Sequence, residues 1–256
     1  MSTMASLDEM MYACGLETLH PGGMAKTEEM AKACGIGPGK RLLDIGAGRG
    51  ASACYLARKY GCRVTGIDTS ARMIAACCRK AEKERLDDLA TFVVADACDL
   101  PFEDAFFDIV IAECVTVLLD KQRAFGEMLR ATKPGGCVGD LEMIWRTQPP
   151  ERALNQTREL WEGYQTMTLV QWKTFFQQLG LQDVQVADFT DAVGSIDEAM
   201  KRGLGWRGTA KLTWQLLLHG DLRRAMRAYA RIFRDYAHYI GYGYFVGRTP
   251  PRSEGV

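Results

Sequence analysis

The chain has 256 residues, with 32 lysines and arginines matched by 32 aspartates and glutamates and a hydrophobic share of 47%. That length suits one domain with an elaboration, and the zero formal charge gives no global attraction to a nucleic acid. No apolar run approaches the roughly 18 residues needed to span a bilayer, and the nine scattered cysteines contain no C-x-x-C pair, which excludes the usual zinc spacing and fits thiols in a reducing cytoplasm.

Residues 1–39 read as a helical preface. Asp8 to Cys14 predicts a short helix and Met24 to Cys34 a second, with Leu19-His20-Pro21-Gly22-Gly23 between them as a turn that a histidine precedes. The first twenty residues carry acids and no lysine or arginine, so no secretory or transit segment is read there. Arg41-Leu42-Leu43-Asp44-Ile45-Gly46-Ala47-Gly48-Arg49-Gly50 then runs from a short apolar strand through three glycines into a helix, Ala51 to Tyr60, that stops at Gly61. The glycines permit positive φ and close approach of a ligand to the backbone, and the helix start aims free amides at the turn. A nucleotide-like ligand is expected.

Gly46-Ala47-Gly48-Arg49-Gly50-Ala51 satisfies the G-x-G-x-x-G/A fingerprint of dinucleotide folds, which keeps an NAD-dependent oxidoreductase open. Asp44 points the other way, because a carboxylate at the strand end repels a pyrophosphate and suits an ammonium or sulfonium. Arg63 to Asp68 reads as a second strand whose terminal acid stands 18 residues beyond Gly50, where a carboxylate accepts from ribose hydroxyls. Thr69 or Ser70 caps the next helix, which runs to Lys83, and Ala90 to Val94 is a third strand leading into Ala95-Asp96-Ala97-Cys98-Asp99-Leu100-Pro101-Phe102.

The order Asp-x-Gly-x-Gly-x-Gly at residues 44–50 and the pair Asp96-Ala97 ahead of Leu100-Pro101-Phe102 resemble the motifs of class I S-adenosylmethionine (SAM) dependent methyltransferases of small-molecule type, similar to the ubiquinone-biosynthesis and arsenite enzymes. The resemblance implies an α/β fold with a Rossmann-like seven-stranded sheet, mostly parallel with an antiparallel last strand and helices on both faces. It implies that Asp44, Gly46, Ala47, Gly48, Asp68, Thr69, Asp96, Ala97 and Glu113 bind SAM, whose product is S-adenosylhomocysteine, with Asp96 accepting from the adenine amino group. It also implies a preface folded over the cofactor, which makes Tyr12, Glu17 and His20 candidates for substrate contact.

The fourth strand, Phe107 to Ala112, delivers Glu113 and Cys114 to the carboxyl end of the sheet, where open α/β sheets bind ligands. A helix from Lys121 to Ala131, the turn Lys133-Pro134-Gly135-Gly136 and a fifth strand from Cys137 to Met143 follow, with Glu142 and Trp145 at its end. Helices over Glu151 to Leu160 and Leu169 to Leu179, a sixth strand over Leu181 to Asp188 and a last over Tyr242 to Arg248 complete the plan. Residues 40–188 with 241–250 thus form the cofactor domain, and 189–240 a helical insertion expected to cap the substrate. Within the insertion, Lys211 to Leu218 is one expected helix. After Gly220, with Asp221 as its cap, a longer one carries the apolar stripe Leu222, Met226, Tyr229, Phe233, Tyr236 and Ile240. Arg223, Arg227, Arg231 and Arg234 share a second face, which reads as a solvated surface or as a contact for an acidic partner.

A sulfonium methyl is already activated, so the protein must hold donor and acceptor in line, exclude water and, where the acceptor requires it, remove a proton. The acceptor-side candidates are His20, Tyr12, Glu113, Cys114, Glu142 and Trp145, with the His20 imidazole the natural proton acceptor. Ile109 to Lys121 also looks like the corresponding stretch of arsenite methyltransferases, in which a cysteine at the place of Cys114 binds trivalent arsenic. Cys14 and Cys34 would supply further thiols, and no cysteine lies between Glu151 and Leu181. The expected partner is a small-molecule acceptor in the cytoplasm, with no nucleic acid, no membrane span and no resident metal, and a homodimer is left open. A SAM-binding module without catalysis is the remaining alternative.

Overall fold

The computed structural model describes residues 9–20, 22–193 and 196–251. The strands β1 (Arg41–Ile45), β2 (Arg63–Asp68), β3 (Ala90–Val94), β4 (Phe107–Glu113), β5 (Thr132–Trp145), β6 (Gln182–Asp188) and β7 (Ile240–Arg248) form one seven-stranded sheet in the order β3-β2-β1-β4-β5-β7-β6. β1 to β5 pair parallel, and β7 runs antiparallel to both β5 and β6, which is the expected fold class. Around the sheet lie α1 (Gly23–Cys34), α2 (Ala51–Tyr60), α3 (Ala71–Glu84), α4 (Lys121–Ala131), α5 (Glu151–Leu160), α6 (Leu169–Gln178), α7 (Thr190–Val193), α8 (Ile196–Leu218) and α9 (Gly220–Asp235). No described helix is long and apolar enough to cross a membrane.

The central strands are near-continuous apolar runs because both of their faces are covered. Leu42, Leu43 and Ile45 of β1 and Ile109 to Ala112 of β4 are each at most 2% exposed. Ile45 stands level with Ile67 of β2 and Ala112 of β4, so the three carboxyl ends open together. The chain moves outward from β1 to β3 and then returns to place β4 on the other side of β1, and that reversal leaves a crevice at these ends. On the far half of the sheet, α6 seals the core: Trp172 stacks on Phe245 of β7 at 5.2 Å between ring centroids, and Phe125 of α4 meets Phe175 edge-on at the same distance.

Three elements differ from the sequence expectation. The Lys133-Pro134-Gly135-Gly136 turn is absorbed into the start of β5, where the register shifts against β4 and the Gly135 amide donates to Thr249 beyond β7. The first insertion helix begins at Ile196 rather than Lys211, with a break at Gly205 (φ 61°, ψ −177°); three glycines at 203, 205 and 208 hide its helical signal. Asp221 is not the cap of α9. His219 occupies that position without a side-chain bond, and Asp221 lies in the first turn, where a carboxylate favours the positive end of the helix dipole.

Residues 9–13 are helical, and Met10, Met11 and Cys14 pack with Leu204, Leu212, Leu222 and Ala225 in a second, smaller core. Preface and insertion are therefore joined to each other. Asp8 and Pro21 lie outside the described residues.

Glu142 and Trp145, expected beside an acceptor, stand elsewhere. Asp140 and Glu142 are two residues apart on one face of β5, both fully buried. Glu142 Oε1 accepts the amides of Val115 (2.8 Å) and Val117 (3.3 Å), and Thr116 Oγ1 lies 3.1 Å from it and 2.8 Å from Asp140 Oδ2. The acid pair thus ties down the loop after β4. Burial pushes Glu142 up to about 7 against the pull of those hydrogen bonds, and burial together with repulsion from Glu142 holds Asp140 well above the usual carboxylate range. Trp145 lines a separate cavity of about 190 Å³ with Lys121 and Tyr164, its indole N–H unpaired among the described residues.

Because folding raises the Glu142 pKa, the native chain holds that proton more tightly than the unfolded one. The resulting stability is full below the ordinary glutamate range and is lost as pH rises toward about 7. Glu142→Gln keeps an acceptor for the two amides, so it should flatten the fall in urea midpoint across that window. A fall as steep as the parent's would assign the titration to another group.

Candidate active site

The carboxyl ends of β1, β2 and β4 open into a cavity of about 780 Å³. All nine cofactor positions named from the sequence line it, namely Asp44, Gly46, Ala47, Gly48, Asp68, Thr69, Asp96, Ala97 and Glu113, and Tyr12, Glu17, His20 and Cys114 line it too. Glu142 and Trp145 do not.

The glycine turn forms one wall. Gly46 has φ 70°, and a Cβ there would stand 2.4 Å from Val115 Cγ2, so only glycine lets the loop after β4 close against the turn. Gly66 on β2 is needed for a similar reason: a Cβ there would meet Phe92 at 2.7 Å and Ala47 at 2.9 Å. The Gly48 amide donates to Asp68 Oδ2 (3.1 Å) and the Ser70 amide to Oδ1 (2.8 Å), which fixes the carboxylate at the cavity edge. Burial raises the Asp68 pKa, and these two amides oppose the shift. Asp96 is held differently, its Oδ1 accepting the Cys98 amide at 2.8 Å.

Asp44 is 2% exposed and its Oδ2 has no partner among the described residues. Burial holds its carboxyl well above the usual range, reinforced by Glu113 and then Asp68. Glu113 comes from the end of β4; its Oε2 accepts the Ser52 hydroxyl of α2 and lies 3.4 Å from His20 Nε2. Thr27 Oγ1 of α1 is 3.3 Å from the same nitrogen. His20 Nδ1 and Glu113 Oε1 are buried without partners among the described residues. Thr27 and Ser52 carry no sequence signal of their own, since each is a hydroxyl inside a helical run; the partner of Ser52 lies 61 residues away.

The preface is strapped across this cavity. Arg72 pairs with Glu9 at 2.9 Å, Arg49 Nη1 donates to the Tyr12 carbonyl at 2.7 Å, and Lys211 of α8 donates to the Ala13 carbonyl at 2.8 Å. Tyr12 places its hydroxyl over Gly48. Glu17 remains largely exposed, 3.9 Å from Lys80.

Cys114 adopts a left-handed backbone (φ 56°) with its amide bonded to the Leu141 carbonyl at 2.7 Å. Burial, then the charges of Glu142, Glu113 and Asp140, push its thiol well up, so it is protonated near neutrality. The other thiols expected to join it are directed elsewhere: Cys14 belongs to the smaller core, and Cys34, a free thiol, shares a hydrogen bond with the free thiol of Cys137. Among the described residues no group of three His, Cys, Asp or Glu side chains is placed to hold a metal.

Buried carboxylates with unfilled acceptor positions suit a ligand that brings hydrogen donors and a positive charge. SAM has both; a pyrophosphate brings neither.

Comparison with known proteins agrees. Residues 43–138 match the family described as methyltransferase domain. The 27-O-demethylrifamycin SV methyltransferase of Amycolatopsis mediterranei is 30% identical over 175 residues, 67% of this chain and 64% of that one. Across the curated relatives in view, the chain spans 31% to 69% of their length. Among solved structures, the [4+2]-cyclase SpnF superposes with a TM-score of 0.77 at 23% identity, covering 97% of this chain and 93% of that one. Phosphoethanolamine N-methyltransferase 2 of Haemonchus contortus, solved with phosphomonomethylethanolamine and S-adenosylhomocysteine, has the same TM-score and identity over 96% of this chain and 58% of that one. At such identity these structures speak for the fold. Residues 43–138 thus belong to the methyltransferase domain family, and the chain as a whole carries the fold of these structures.

Proposed function

We propose that the protein transfers a methyl group from SAM to a small-molecule acceptor within the crevice of β1, β2 and β4. The observation that carries this reading is the convergence, on one cavity, of the glycine turn, Asp68 and Asp96 with the buried His20–Glu113 pair. Asp44, Gly46, Ala47, Gly48, Asp68, Thr69, Asp96, Ala97 and Glu113 are assigned to the cofactor. The preface and the insertion act together as the cap that excludes water, since they share a core and the preface lines the cavity. The balanced charge of the chain favours a small molecule over a nucleic acid.

When bound, SAM supplies a methyl already activated on a sulfonium. The chain's own residues do the rest. Asp44 sets a buried carboxyl beneath the cofactor site, whose charged form a sulfonium would favour. His20 directs Nε2–H to Glu113, which leaves Nδ1, buried without a partner among the described residues, as the acceptor for a proton of the substrate. Glu113 then stabilises the imidazolium, while Ser52 and Thr27 hold both partners in place.

Calorimetric titration with SAM, S-adenosylhomocysteine and NAD in parallel tests the cofactor assignment. Asp68→Ala should abolish binding of the first two, whereas Asp44→Asn should weaken cationic SAM about tenfold more than the uncharged product, a difference of about 1.4 kcal/mol. For the wild type, the preference for SAM should shrink as pH falls and Asp44 takes up its proton, a titration displaced above the ordinary carboxylate range. Binding of NAD alone would refute the assignment. His20→Gln should lower kcat by about a hundredfold or more with SAM affinity nearly unchanged; a kcat close to the parent's would exclude His20 as the base.

A further inference from the structure

α8 and α9 turn outward two surfaces that the crevice does not use. Beyond the break at Gly205, α8 exposes Trp206 (77%), Trp214 (61%), Leu217 (64%) and Leu218 (59%). Positions 206, 210, 214 and 217 recur at helical spacing and share one side of the helix, while Leu204 and Leu212 on the opposite side are buried in the small core. Singly exposed leucines are ordinary; two tryptophans and two leucines along three turns form a continuous apolar face.

Beside it runs a cationic face. Arg224, Arg227, Arg231 and Arg234 of α9 are all exposed and lie opposite the buried stripe of Leu222, Ala225 and Ile232. Arg223, expected on this face, instead folds back and donates to the carbonyls of Leu216 (2.7 Å) and Leu217 (2.5 Å). It joins the end of α8 to the start of α9, and the Arg224 guanidinium lies beside Gly220 at that corner. The arginine stripe therefore begins where the apolar face ends. Arg234 pairs with its neighbour Asp235, but Arg224, Arg227 and Arg231 have no acidic partner among the described residues. Arg207 stands over the Trp206 ring at 5.1 Å and adds a further positive group beside the apolar face. Asp221 and Asp235 are the acids on α9 itself.

We infer that this outer face of α8 and α9 docks on an anionic lipid membrane. Indole and leucine side chains enter the boundary between head groups and acyl chains, and a row of arginines meets the phosphates there, which relieves repulsion among Arg224, Arg227 and Arg231. A nucleic acid would match the arginines and leave the tryptophans in water; a second copy of the chain would cover the tryptophans and bring arginine against arginine. The lipid surface satisfies both faces at once. Docking is lateral, because no described helix can span the bilayer.

The test is co-sedimentation of the full-length protein with vesicles of phosphatidylcholine alone and of phosphatidylcholine with a quarter phosphatidylglycerol, at low and at 0.5 M salt. Partition onto the anionic vesicles is expected, with a blue shift in tryptophan emission and a loss at high salt. Arg227→Glu with Arg231→Glu should reduce partition about tenfold or more, and Trp214→Ser with Leu217→Ser should do the same while circular dichroism and SAM binding stay as in the parent. Absence of wild-type partition overturns the inference, as does equal partition of parent and both variants. Self-association by analytical ultracentrifugation that disappears in Trp214→Ser would assign the face to a second copy instead.

Discussion

Asp68 fastens the crevice together. It ends β2, yet it receives one amide from the glycine turn after β1 and another from the start of α3, so a single carboxylate sets the distance between two strands' ends. The local sequence follows from that constraint. Gly48 must present its amide, Gly66 must leave room for Ala47, and Gly46 must let Val115 approach from the next strand. A bulkier residue at any of these points would push apart the surfaces that define the cavity.

Carboxylates accumulate around this point at a cost. Asp44, Glu113, Asp140 and Glu142 are withdrawn from water at neighbouring strand ends, and burial raises Asp44, Asp140 and Glu142 above the ordinary range. Hydrogen donors offset part of the desolvation: Ser52 for Glu113, and Thr116 with two loop amides for the β5 pair. What is left unfilled is informative. The free oxygen of Asp44 and the free atoms of Glu113 and His20 belong to residues lining the larger cavity, where a ligand can satisfy them.

Preface and insertion, far apart in the chain, share one core. The preface contributes methionines and the insertion leucines to a core that neither could form alone, and Lys211 hydrogen-bonds directly to the preface backbone.

The strands and the glycine turn lining the crevice were legible because each is written in local pattern, whereas the antiparallel last strand followed from the resemblance to class I methyltransferases. Short apolar runs bounded by glycine read as buried strands, and an acid at a strand end lies at the crevice whatever the rest of the chain does. Glu142 shows where that logic stops: its place at the end of β5 suggests a substrate contact, but the loop of residues 115–117 folds over it, and only the folded chain brings those amides there. Arg223 and Arg224 exchange roles for a like reason, since the carbonyls that draw Arg223 inward belong to another helix. The chain by itself determined the strands of the sheet and the residues lining the crevice, through periodicity and turn chemistry acting over a few residues. Tertiary structure alone decided that His20 meets Glu113, that Ser52 and Thr27 hold them, and which arginines face outward, because each depends on groups from separate elements meeting at hydrogen-bonding or packing distance.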